Sequence, residues 1–260
     1  MATYLDRILD AHRAAAASDG RRVADLVEAA KAGPPARGFA AALRADRGIA
    51  VIAEVKRASP SRGPLAPGLD PAVTARGYAA GGAACVSVLT DWEFFSGSPA
   101  DLVAARAACD VPVLRKDFTV GPADVCDARV MGADAVLLIV AALSPELLAE
   151  LVDLAAAIGL DALVEVHDEA EAELALAAGA TLVGVNQRDL VTFEVDTARA
   201  ERVVKVLPDG VVRVAESGIR SHDDAARLAA AGFDAVLVGE SLVTSSDPAA
   251  AVHALRTGTG

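Results

Sequence analysis

Five stretches of the chain repeat one order of small, turn-forming and apolar positions: "AAGGAACVSVL" (79–89), "MGADAVLLIV" (131–140), "AIGLDALVEV" (157–166), "AAGATLVGVN" (177–186) and "AAGFDAVLVGE" (230–240). A Gly just past a helix takes the left-handed conformation without a Cβ clash, so each stretch predicts helix, stop, strand. The runs after each Gly are apolar at consecutive positions, as in parallel strands covered on both faces. Three more apolar runs, 49–55, 111–115 and 211–216, read as strands. Ala-rich segments such as 70–80, 145–158, 168–178 and 221–231 read as helices between them. Eight strands alternating with helices predict an α/β fold, a closed (β/α)8 TIM barrel. An open doubly wound sheet is the structural alternative, but no G-x-G-x-x-G turn follows residue 55. Residues 1–260 read as a single barrel domain with residues 1–45 as an N-terminal helical extension. Within it "YLDRIL" is amphipathic, Gly33 to Gly38 form a hinge or turn, and the added helices are expected to cover one barrel end.

Polar residues interrupt these runs at the strand ends. In "VIAEVKRASPSRGP" (51–64), Ile52, Glu54 and Lys56 share one face of a strand, so two charges follow a core residue inward. That arrangement is costly unless a paired ion or a polar cavity receives it. The third strand ends in Arg115, Lys116 and Asp117, the fifth in Glu165 and His167, and the sixth in Asn186 and Arg188. The seventh ends in Glu216 and Ser217, and the eighth in Gly239 and Glu240. Barrel chemistry sits at the C-terminal strand ends, and polar groups delivered at one end only point to an active site. Loops after strands seven and eight of barrels often hold a phosphate, and Gly there lets backbone N–H groups converge on an anion. Lys56 and Arg188 would add cationic contacts. Phe94 and Phe95, with Phe118, are either ordinary loop packing or an apolar wall for a flat ring.

Acidic residues outnumber basic ones, 36 to 24, for a formal charge of −12 that opposes a nucleic-acid partner. No run approaches the roughly 18 uncharged apolar residues of a membrane span. The N-terminus, charged throughout, does not resemble a secretion signal, so a soluble cytoplasmic protein without a membrane partner is expected. Cys85, Cys109 and Cys126 form no C-x-x-C pair and read as reduced core residues. His12, His167, His222 and His253 are dispersed, which argues against a metal site, and His167 reads as a structural partner of Glu165 rather than a base. No G-x-S-x-G elbow is present.

The segments "AEVKRASPSRG", "SVLTD..FF.GS", "PVLRKDF", "LVEVH", "GVNQRDL", "VAESGI" and "VLVGES" occur in this order. Together they resemble the indole-3-glycerol phosphate synthase family over about residues 45 to 245. Trp92-Glu93 departs from the acidic-then-basic pair common after "LTD" in that family. The resemblance implies decarboxylating ring closure and dehydration of 1-(2-carboxyphenylamino)-1-deoxyribulose 5-phosphate, in tryptophan biosynthesis, with no cofactor and no metal, by a monomer. It implies Lys116 as the acid at the ketone oxygen and Glu165 as the carboxylate that stabilises charge on the anilino nitrogen or serves as base. Lys56 would engage the substrate carboxylate and Glu54 would hold Lys56, while Asn186 and Glu216 orient sugar hydroxyls and lysines. Ser217, Gly218, Gly239 and the Glu240 N–H would hold phosphate with Ser59 and Arg188, and Pro60, Phe95, Phe118, Leu137 and Leu190 would line the ring pocket. Cations and apolar walls around such a lysine would lower its pKa. Two other readings are a phosphate-binding barrel with a Schiff-base lysine, as in aldolases, and a non-catalytic phosphate-ligand sensor.

Overall fold

The computed structural model describes residues 3–189 and 191–258. Strands β1 (Ala50–Val55), β2 (Cys85–Leu89), β3 (Val113–Lys116), β4 (Ala135–Ile139), β5 (Asp161–Val166), β6 (Leu182–Asn186), β7 (Val212–Glu216) and β8 (Ala235–Val238) pair in parallel in chain order. Strand β8 returns to β1, with Ile52 opposite Leu237 on one side and Cys85 on the other, which closes the barrel. The glycines of the five repeated stretches, Gly82, Gly132, Gly159, Gly179 and Gly232, all have φ between +80° and +104°. Only Gly enters that region freely, so these turns end one element and start the next.

Helix starts are equally local. Asp70, Ser98, Ser144 and Asp247 each cap a first-turn backbone N–H and precede a Pro at the first helical position. The oxygen satisfies an orphan donor and the Pro, which has no N–H to lose, presets φ. The helices so begun are α4 (Pro71–Ala80), α5 (Pro99–Ala108), α7 (Pro145–Ala157) and α12 (Pro248–Thr257). With α6 (Pro122–Val130), α8 (Glu169–Ala177), α9 (Thr197–Val203) and α10 (His222–Ala231) they surround the strands. Val51, Ala53, Val55, Val86 and Val88 pack outward in the strand–helix core. Ile52, Leu114, Leu137, Leu163, Val214 and Leu237 fill the barrel interior, as period-two alternation requires.

The extension differs from expectation. It does not cover one end; it spans both. Helix α1 (Tyr4–Ala17) lies at the C-terminal mouth, where His12 Nε2 meets Asp91 at 3.0 Å and Arg13 donates to the Ala142 carbonyl. Helix α2 (Val23–Lys31) runs along α6. Helix α3 (Phe39–Ala45) closes the N-terminal floor, with Phe39 and Leu43 buried among interior residues. Truncating a leucine so placed costs about 2–5 kcal/mol.

Charge is also present at the floor, against the expectation of polar groups at one end only. Fully buried Asp134, just before β4, accepts from Arg106, Arg37 N and Val113 N. Asp161 accepts from Ala40 N, and Asp234 from Arg213 N. These carboxylates tie backbone at strand entries and are internally paired, whereas those at the mouth face a cavity. All three cysteines are buried and free, as expected.

Candidate active site

Interior positions alternate along each strand, so the residue two steps above an apolar interior residue enters the next layer. Ile52 is followed by Glu54, Leu114 by Lys116, Leu163 by Glu165, and Val214 by Glu216. Gly184 precedes Asn186 in the same way. These polar groups stand on the apolar plug and line the floor of a cleft of about 460 Å³ at the C-terminal mouth. The wall includes Phe95, Phe118, Leu137 and Ile139.

Lys116 Nζ lies 3.3 Å from Glu165 Oε2 and 3.8 Å from Glu216 Oε2. Asn186 Nδ2 donates to Glu165 Oε1 at 3.1 Å, and the Asn186 Oδ1 accepts from Ser217 Oγ at 2.8 Å and Arg188 N at 3.0 Å. Lys56 is paired closely with Glu54 at the adjoining edge. Burial alone would lower the Lys116 pKa, but the carboxylates of Glu165, Glu216 and Glu54 outweigh it and raise the pKa above the ordinary lysine value. This corrects the expectation of a depressed lysine: its nearest charges are anionic. Burial opposes ionisation of Glu165, yet Lys116, His167 and Asn186 hold its pKa below the usual carboxylate range. Burial and the Glu165 charge push Glu216 up to about 8. The Lys116 ammonium thus favours the ionised form of Glu165, while Glu216 holds its proton more tightly than a free carboxyl.

Two interior glycines create the space. A Cβ at Gly184 would stand 2.1 Å from Glu216 Oε1, and one at Gly239 would stand 2.3 Å from Glu54 Oε2 and 2.8 Å from Lys56 Nζ. Beside them, the loops after β7 and β8 meet where Ser241 Oγ reaches the Ile219 carbonyl. Ser217 and Gly218 both have positive φ, and α11 (Glu240–Val243) starts at the cleft, where Leu242 N and Val243 N donate to the Gly239 carbonyl and no side chain caps the start. Arg62 Nη2 pairs with Glu240 Oε1 at 2.5 Å on the rim.

The sequence model of a family described as indole-3-glycerol phosphate synthase matches residues 5–255. Indole-3-glycerol phosphate synthase of Mycobacteroides abscessus is 54% identical over 258 residues, 98% of this chain and 94% of that protein. The protein of that name from Mycolicibacterium smegmatis is 53% identical over the same shares, and indole-3-glycerol phosphate synthase 2 of Streptomyces coelicolor is 54% identical over 90% of this chain and 91% of its own. The chain belongs to the indole-3-glycerol phosphate synthase family. Membership makes it an enzyme, a decarboxylating lyase of tryptophan biosynthesis. Solved structures at low identity share only the barrel. Thiamine phosphate pyrophosphorylase from Pyrococcus furiosus has 18% identity and a TM-score of 0.59, covering 80% of this chain and 93% of its own. The N-acetylmannosamine-6-phosphate 2-epimerase from Clostridium perfringens has 16% identity and the same score, covering 74% and 86%.

Every family-implied site residue lines the cleft except Leu190, which lies outside the described residues. Of the aromatic pair, Phe95 tilts against Phe118 with centroids 6.1 Å apart, while Phe94 packs edge-on against Tyr4. The first is a wall residue and the second is loop packing. Sequence reasoning missed Tyr4, Leu5 and Ile8, which α1 presents to the cleft, and Phe193 and Arg62 on its rim. The amphipathic spacing of "YLDRIL" was the available signal. It gave a buried face but no destination.

Proposed function

We propose that this chain converts 1-(2-carboxyphenylamino)-1-deoxyribulose 5-phosphate to indole-3-glycerol phosphate, CO2 and water, with Lys116, Glu165 and the Glu54–Lys56 pair carrying the chemistry. The observation that carries this reading is the Lys116 ammonium flanked by the carboxyl groups of Glu165 and Glu216, with the Glu54–Lys56 pair beside them, on the floor of an apolar-walled cleft. The phosphate rests on the loops of Ser217–Gly218 and Gly239–Glu240, with Ser59 and Arg188 at the rim. Phe95, Phe118, Pro60 and Leu137 hold the aromatic ring, with Leu190 assigned to the same wall by the family resemblance. Holding both ends presses the carboxylate-bearing ring carbon against the ketone, a near-attack geometry that replaces lost aromaticity with prepaid order.

As the new C–C bond forms, the carbonyl π electrons move to oxygen, which takes a proton from Lys116. An alkoxide is a far stronger base than an amine, so a raised lysine pKa keeps the acid charged without blocking transfer. Glu165 stabilises the positive charge left on nitrogen. CO2 then departs, and its bonding electrons return to the ring. Lys56, first paired with the substrate carboxylate, protonates the hydroxyl leaving as water, while Glu54 takes the final ring proton. Asn186 and Glu216 orient the lysine and the sugar hydroxyls.

A Schiff-base aldolase needs a neutral nucleophilic lysine, and the carboxylates around Lys116 favour the ammonium instead. The reading also takes the enzyme as a single-domain cytoplasmic monomer without a nucleic-acid partner, supported by the reduced buried cysteines and the net charge of −12. Among the described residues no helix is long and apolar enough to cross a membrane. Adding the carboxyphenylamino-deoxyribulose phosphate to the purified chain should produce indole fluorescence with one CO2 per turnover. Absence of both would reject the assignment.

A further inference from the structure

His167 stands directly beyond β5, two residues after Glu165, and its ring is fixed from behind. Glu171 Oε2, in the first turn of α8, accepts from His167 N at 2.7 Å and lies 2.9 Å from His167 Nδ1. A carboxylate has no proton to give, so Nδ1 must be the donor in that contact. The opposite nitrogen, Nε2, then points at the site, 3.5 Å from Glu165 Oε1. It is buried and has no hydrogen-bond partner among the described residues, so its approach to Glu165 is that of an ion pair. Glu165 is thereby enclosed by Lys116 on Oε2 and by Asn186 and His167 on Oε1.

We propose that His167 and Glu171 are positioning residues for the reaction, forming a carboxylate–imidazolium–carboxylate chain that fixes the direction and the charge of Glu165. The inference rests on Glu165 acting at the substrate nitrogen. Its logic is electrostatic: Lys116 sits between Glu165 and Glu216, and once it gives its proton to the ketone oxygen it ceases to be a cation. A second cation on the other side of Glu165 keeps that carboxylate ionised at that moment. Burial opposes charging of His167, but its contacts with Glu165 and Glu171 push its pKa up to about 10. The other charged groups nearby are already engaged. Arg199 of α9 donates to the Asn186 carbonyl and faces Asp189, and Arg202 pairs with Asp196 and stands 3.9 Å from Glu169 of α8.

The test uses the full chain and two variants, Glu171→Gln, which keeps shape and removes one flanking charge, and His167→Asn, which removes the ring. The ring state of His167 is read by 15N–1H NMR at pH 8, and kcat and KM are followed from pH 5 to 10. The wild type should show an imidazolium at pH 8. Glu171→Gln should bring its titration down, so that kcat falls on the alkaline side while KM holds. His167→Asn should lose roughly 10-fold or more in kcat, the scale seen when groups that orient a functional ligand are removed, and its acid limb should move to higher pH because Glu165 has lost a cation. A neutral ring at pH 8 in the wild type, or pH profiles that overlay in both variants, would overturn the proposal. Failure of the Glu165 assignment itself would look different: Glu165→Gln would keep normal turnover.

Discussion

Gly184 is the position where a single methyl group tests the site most sharply. It has ordinary strand geometry in β6, so the backbone accepts Ala there. The added Cβ would lie 2.1 Å from Glu216 Oε1 and 3.2 Å from Leu163 Cδ1, where 3.0 Å is the closest approach real Cβ atoms make. Glu216 Oε1 must therefore retreat by about 0.9 Å, which displaces the carboxyl group whose other oxygen, Oε2, lies 3.8 Å from Lys116 Nζ. A misplacement of about 1 Å in a catalytic arrangement costs on the order of 10²-fold in rate, and overpacking of this kind costs roughly 1–3 kcal/mol of stability. Gly184→Ala should thus fold, melt a few degrees lower, and lose about two decades of kcat. The double variant Gly184→Ala with Glu216→Ala removes the clashing carboxyl and should be more stable than the sum of the single changes predicts. Turnover by indole fluorescence, thermal melts and the stability cycle together decide the matter. A Gly184→Ala protein with kcat within about threefold of wild type would refute the claim that Glu216 needs this space.

Other expectations follow from the same cluster. Lys116→Met should slow turnover by roughly 10²–10⁴-fold, the range for a lost general acid, while binding of a phosphate ester persists; near-normal turnover would remove Lys116 from its role. Glu216, with a folded pKa near 8, retains a proton over a range in which the unfolded chain has lost it. Native Glu216 therefore lowers stability as pH rises from about 4.5 towards 8. Denaturation of wild type and Glu216→Gln across pH 5 to 9 should show the variant gaining relative stability through that window and then levelling; parallel curves would contradict the raised pKa. Chelators should leave activity unchanged, and a loss restored by a divalent cation would overturn the metal-free mechanism.

The barrel was legible because two local rules repeat: Gly after a helix forces the turn, and period-two alternation fixes which side chains enter the interior. The same alternation placed Glu54, Lys116, Glu165 and Glu216 at one mouth. What escaped lay in pairings between distant segments. Lys116 reads beside Arg115 in sequence, but Arg115 bonds Asp117 and the Asp124 carbonyl in the first turn of α6 while Lys116 faces three carboxyl groups. The expected pKa direction failed because strand neighbours point to opposite faces. The floor aspartates look like the mouth carboxylates in composition and differ only in having backbone N–H groups to satisfy. Gly184 reads as a weak strand residue until Glu216, two strand positions beyond Val214 on the neighbouring β7, is seen to occupy its missing side chain. The amphipathic face of α1 shows that it packs, but only the fold shows that it packs over the cleft.

The central claim is that strand ends far apart in sequence converge on one phosphorylated aromatic molecule. A crystal structure of the chain with indole-3-glycerol phosphate tests it most directly. The phosphate should sit on the backbone N–H groups of the Ser217–Gly218 and Gly239–Glu240 loops, with the indole between Phe95, Phe118 and Leu137 and within reach of the Lys116 ammonium. A phosphate bound elsewhere on the rim, or an indole turned away from Lys116 and Glu165, would contradict it.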